Sequence, residues 1–147
     1  MLALLHSSLI AALVVSGSST GPVTSTILLK TSTTWNGAPI TYSAVGNPEV
    51  QTIIVEIAPG ATTAWHMHPI NNIANILEGI DCIELEDGAA REFKTGESFA
   101  EVVNTWHRGV NLGVGTLKIL VVYTSEVGRP ISIPKPAPES GTGAPQH

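Results

Sequence analysis

Between Thr24 and Ile133 the apolar residues fall in short runs, many of them β-branched: Thr26–Leu29, Ile40–Tyr42, Thr52–Ile57, Ile73–Leu77, Cys82–Glu86 and Leu117–Tyr123. Each run is about as long as one β-strand, and turn-forming pairs separate them, at Pro59-Gly60, Glu78-Gly79, Asp87-Gly88 and Thr95-Gly96. Asp87-Gly88 suits a tight hairpin, whose central residues take positive φ, so Cys82–Glu86 and Ala90–Lys94 are expected to pair. No stretch in this region repeats its apolar positions with a helical period. The pattern predicts a single all-β domain over residues 24–133, built as a sandwich or closed barrel, without internal repeats.

The two ends read differently. No Lys, Arg, Asp or Glu occurs in the first 29 residues, and apolar runs at Met1–Leu5 and Leu9–Val15 precede small polar residues. Residues 1–20 are expected to be a secretory signal, although no basic side chain opens it. Export to the periplasm or the medium follows from that reading, and a cytoplasmic location if the leader is not a signal. The apolar run is short and broken by His6, Ser7 and Ser8, so a stable membrane anchor is not expected. Residues 134–147 are rich in Pro and Gly and read as a flexible tail.

Composition narrows the function. The formal charge is -5 and no basic cluster exists, which argues against nucleic acid, whose phosphates need grouped Lys and Arg. The single cysteine, Cys82, forms no internal disulfide and is expected as a small core residue.

Three of the five histidines fall in two places, His66 and His68 in one, His107 in the other. Residues two apart on a strand point to the same face, so the imidazoles of His66 and His68 can reach one point. A third imidazole from His107 would complete a set of nitrogen donors for iron, zinc, copper, nickel or manganese. His6 and His147 lie at the ends and are given no role.

The spacing around these residues resembles that of the cupin superfamily. Gly60, five residues, His66-x-His68, three residues, Asn72, six residues and Gly79 reproduce the first cupin signature, with Asn72 where the family usually has Glu. Gly96, five residues, Val102-x-Asn104, two residues, His107, three residues and Asn111 follow the second, with Val102 and Asn104 replacing its Pro and Gly. Sixteen residues separate the motifs, as a single hairpin linker requires. The resemblance implies a small single-domain jelly-roll barrel, a divalent transition metal held by His66, His68 and His107, a small-molecule substrate and a homodimer. Thr24–Thr31 is a candidate edge for pairing with a second subunit.

Asn72 leaves the usual fourth ligand open. The site is either three-His only, as similarity to cupin thiol dioxygenases would allow, or completed by another carboxylate. Glu101 is the best candidate for that carboxylate: it shares its strand face with apolar Phe99 and so should point inward. An inward carboxylate demands a partner, and burial would prepare Glu101 to act as a general base. Pairing with Arg91 or Arg108 is the plainer alternative, and Glu78 is expected in solvent. Trp65 and Trp106 precede His66 and His107 and should face away from the metal, packing on neighbouring strands or a partner subunit. Ile70, Ile76, Phe99 and Tyr123 are candidates for the pocket wall. The leading function is a metal-dependent enzyme on a small molecule, with dioxygenase chemistry first and isomerase or lyase chemistry next. A non-catalytic barrel that captures a sugar or organic acid is the alternative.

Overall fold

The computed structural model describes residues 24–42 and 46–137. Every regular element among them is a β-strand: β1 (Pro48–Ile57), β2 (His66–Met67), β3 (Asn72–Glu78), β4 (Ile80–Leu85), β5 (Ala90–Lys94), β6 (Ser98–Ala100), β7 (His107–Asn111), β8 (Leu117–Glu126) and β9 (Ile133–Pro134). They form a four-stranded sheet of order β1-β8-β3-β6 and a five-stranded sheet of order β5-β4-β7-β2-β9. All the strand pairings are antiparallel. The apolar runs imply this all-β arrangement of two sheets, and the family resemblance implies its jelly-roll form.

Strict alternation places the core. Leu117, Ile119, Val121 and Tyr123 of β8 face inward, as do Ala74 and Ile76 of β3 and Ile83 and Leu85 of β4. Phe93 and Phe99 stack with ring centres 3.7 Å apart, joining β5 to β6, and Trp35 packs edge-on against Phe93. The expected hairpin is present, with Gly88 at φ 91° and β4 paired to β5. Gly79 takes φ 94°, and a Cβ there would lie 3.1 Å from the Leu117 Cα, so the position requires glycine twice over.

Several expectations need correction. Thr26–Leu29, within the candidate edge Thr24–Thr31, and Ile40–Tyr42 form no strands; near them only an isolated bridge joins Thr33 to Pro39. Ile27 is 78% exposed and Tyr42 80%, so these runs lack the sheet neighbours that would make them strands. Cys82 is not a core residue. It lies on the outward face of β4 with Glu84, whose carboxylate pairs with Arg108 at 2.7 Å, and Asp81 takes the inward place instead. The tail is anchored where it starts, because Pro134 pairs with His66 and the Lys135 N–H donates to Trp65 O. The proposed leader, and the tail from residue 138, lie outside the described residues.

Asn111, 2% exposed, closes one end of the barrel. Its Nδ2 donates to Ile57 O and Gly115 O, both at 2.8 Å, and its Oδ1 accepts from Gly113 N at 2.8 Å. It therefore ties the end of β1 to the turn after β7. Asn111→Ala is expected to cost roughly 2–4 kcal/mol of stability, because buried backbone groups lose their partners together. Urea unfolding of the two proteins measures this directly.

Candidate metal centre and its cavity

The histidine cluster follows from strand register. His66 on β2 sits directly opposite His107 on β7, so the two rings share one face as cross-strand neighbours. His68 lies two residues further along and points the same way. Ring centres are 4.4 Å apart for His66 and His107, and 5.0 Å for each of the other pairs. One ligand atom from each of the three residues lies within 4.8 Å of the others. His68 and His107 are buried, and His66 is half-buried.

Backbone carbonyls set the tautomer of all three rings. His66 Nδ1 bonds Ala64 O at 2.8 Å, His68 Nδ1 bonds Ile131 O at 2.7 Å and His107 Nδ1 bonds Thr105 O at 2.8 Å. A carbonyl only accepts, so each Nδ1 carries the hydrogen and each Nε2 keeps its lone pair. Burial lowers all three pKa values, that of His68 to about 4, against the opposing pull of these carbonyls. The three imidazoles are thus held neutral with Nε2 free, as metal binding requires.

The rings open onto a cavity of about 70 Å³ whose lining also includes Asn72, Asp81, Phe99, Glu101, Gly109 and Tyr123. Ligand pockets for drug-sized molecules run to roughly 300 Å³ or more, so a molecule enclosed here has few heavy atoms. Glu101 faces inward, as its alternation with Phe99 implies, and is 6% exposed. It pairs with neither Arg91 nor Arg108. Its Oε1 accepts from Trp35 Nε1 at 3.0 Å and from Val102 N at 2.9 Å. Burial raises its pKa, while those two donors and the nearby His66 oppose the rise. The carboxylate stands outside the three-residue cluster but borders the same space.

Asn72, 2% exposed, occupies the inward position expected for a fourth ligand, and its Nδ2 has no hydrogen-bond partner among the described residues. Phe99 and Tyr123 line the cavity as expected, with the Tyr123 hydroxyl pushed up to about 12 by burial and by the charge of Glu101. Ile76 packs in the core and Ile70 borders a different pocket, so neither forms this wall. Trp65 faces away from the cluster, under Arg108 at 5.0 Å, and Lys135 lies 6.0 Å from the Trp106 ring. Glu78 is solvated and paired to Lys118. Asp81 is the residue that sequence reasoning missed. It shares parity with Ile83 and Leu85, a signal masked by Ile80 and Cys82 on the other face.

Residues 53–123 match the family described as Cupin domain, and this span holds all three histidines. These residues are a cupin domain. Among solved structures, the cupin is similar to the polyketide cyclase RemF from Streptomyces resistomycificus, at 24% identity and TM-score 0.52, covering 64% of this chain and 65% of that one. A structure from work on the DMSP lyases RdDddP and RnDddQII matches at 16% identity and TM-score 0.51, covering 59% of this chain and 44% of that one. Oxalate decarboxylase from Lactobacillus farciminis, as its formate complex, matches at 22% identity and TM-score 0.51, covering 58% and 26%. The cupin spans less than half the length of these last two, and the likenesses establish the fold alone. No curated protein matches the sequence.

The cupin motifs explain the backbone as well. Gly60 and Gly79 take positive φ, and Asn104, where the second signature has glycine, takes φ 51°. Asn is among the few residues that tolerate that region, so the replacement keeps the turn. The donor set fits a divalent transition metal: three neutral nitrogens converge, each fixed by a hydrogen bond behind it.

Proposed function

We propose that this cupin is a metal-dependent enzyme for a small oxygen-bearing substrate, and that its chemistry is proton transfer of the lyase or isomerase type. His66, His68 and His107 hold the ion, and Glu101 is the base. The observation that carries this reading is the way Glu101 is held. Trp35, 66 residues away in sequence, and the Val102 N–H both fix Oε1, which leaves Oε2 free of protein partners among the described residues. A carboxylate oriented in this way, buried beside a metal-type cluster, is built to receive a proton. When bound, the ion supplies a Lewis acid that draws charge from a coordinated substrate oxygen. Val55, Ile57, Ile119 and Val121 keep bulk water from the reacting groups. The scaffold is compatible with such chemistry, since neighbours of the same fold include proteins named as lyases and as a decarboxylase.

Dioxygenase chemistry, placed first on motif grounds, stands second here, because it gives the held carboxylate no necessary part. The two differ in their need for oxygen. Protein loaded separately with iron, manganese, nickel or zinc is incubated with small hydroxy, keto and dicarboxylic acids, and consumption is followed by mass spectrometry. Turnover that persists without oxygen and stops with chelator supports proton transfer. Turnover only in air moves the assignment to a dioxygenase, and tight binding without turnover moves it to the non-catalytic barrel.

A further inference from the structure

We propose that Asp81 is a substrate-binding residue of this cavity, accepting the hydrogen of a hydroxyl at the end of the substrate that lies away from the histidines. The proposal rests on the reading of the cavity as a substrate site, and it names the substrate class as small hydroxy acids.

Asp81 is 0% exposed, and neither carboxyl oxygen has a hydrogen-bond partner among the described residues. The contrast with its cross-strand neighbour Asn111 is informative. Asn111 uses every polar atom of its side chain to hold backbone together, whereas Asp81 holds nothing. The carboxyl leans along the sheet over Gly109, where an added Cβ would lie 3.1 Å from Oδ1 and 3.7 Å from Oδ2. Gly109 is two residues beyond His107 on the same face, about 7 Å along the strand. The missing side chain at position 109 therefore makes room for the Asp81 carboxyl between Asn111 and the cluster.

Around it the walls are apolar, with Val55, Ile57, Ile83 and Ile119, and no Lys or Arg lines the cavity. Burial and the charge of Glu101 raise its pKa to about 7, and the Val110 amide opposes the rise without completing a hydrogen bond. A group in that state can accept from a hydroxyl or donate to it. Asn72 adds an unpartnered amide donor from the facing sheet, suited to a carboxylate or carbonyl oxygen. Unpaired buried polar groups oppose folding, and a substrate hydroxyl would satisfy the Asp81 carboxyl in place of water.

The test uses zinc-loaded full-length protein, Asp81→Leu and Asp81→Asn, with 4-hydroxybutyrate, butyrate and 4-aminobutyrate as calorimetric probes. Wild type is expected to bind the hydroxy acid at least about 10-fold more tightly than butyrate, the discrimination a buried hydroxyl partner supplies. Asp81→Leu should reduce that preference to within about 2-fold, keep the same zinc content and melt no lower than wild type, since no hydrogen bond within the protein is lost. An unchanged preference in Asp81→Leu, no preference in wild type (including binding of neither acid), or a lowered melting temperature in both variants would overturn the proposal. A preference for 4-aminobutyrate would overturn the hydroxyl in favour of an ammonium group. Failure of the metal reading would show separately, as wild type that takes up no zinc.

Discussion

Replacing His107 with alanine is expected to weaken metal binding by more than about 100-fold while leaving the barrel folded. The magnitude follows from what is removed. Losing a hydrogen bond behind a ligand already costs roughly 10–100-fold in affinity, and this change removes a ligand itself. His107 is also 1% exposed, so its truncation leaves a small void and frees Thr105 O. That part costs on the order of 2 kcal/mol, which the core of β3, β4 and β8 should absorb. His66→Ala should lose metal similarly with a smaller effect on stability, because His66 is half-buried. Metal content after gel filtration, read beside far-ultraviolet circular dichroism, separates loss of ligand from loss of fold. Retention of stoichiometric metal by both variants would remove the cluster from the account.

Glu101→Gln carries the second large effect. Glutamine keeps the size of the side chain and an oxygen to accept from Trp35 and Val102, so the packing at this end of the barrel should survive. What it cannot do is accept a proton. Loss of a positioned base lowers kcat by about 10²–10⁴-fold, while metal content should stay at the wild-type level because the carboxylate lies outside the cluster. The pH profile adds a sign. A base works only when ionised, so wild-type activity should fall as the pH drops through the pKa of Glu101, which burial raises and the bound ion lowers. In Glu101→Gln that acid limb should vanish from the residual activity. Trp35→Phe, which removes one of the donors that favour the ionised form, should move the limb to higher pH. A variant with unchanged kcat would contradict the assignment of the base.

Much of this was legible in the chain. The apolar runs located β1, β3, β4 and β8, the Asp-Gly pair located the hairpin, and two residues of separation put His66 and His68 on one side. Register, which places His107 opposite His66, depends on pairing between segments about 40 residues apart and was reachable only through family spacing. Glu101 was readable because Phe99 fixes its parity. Its partner Trp35 was not, since that contact comes from a loop before the first strand. Asp81 was obscured because β4 alternates apolar residues on both faces, and only the outward ion pair of Glu84 with Arg108 settles which face is which. Thr26–Leu29 and Ile40–Tyr42 misled for the opposite reason. Strand-like composition counts only where a neighbour offers a ladder, and these runs have none among the described residues.

The most direct test of the central idea is anomalous diffraction from a crystal of the metal-loaded protein, measured on both sides of the metal's absorption edge. The expected result is a single strong peak about 2.0–2.2 Å from the Nε2 atoms of His66, His68 and His107. A fully loaded crystal with its peak elsewhere, or with the three imidazoles bonded to one another and to no ion, would contradict it.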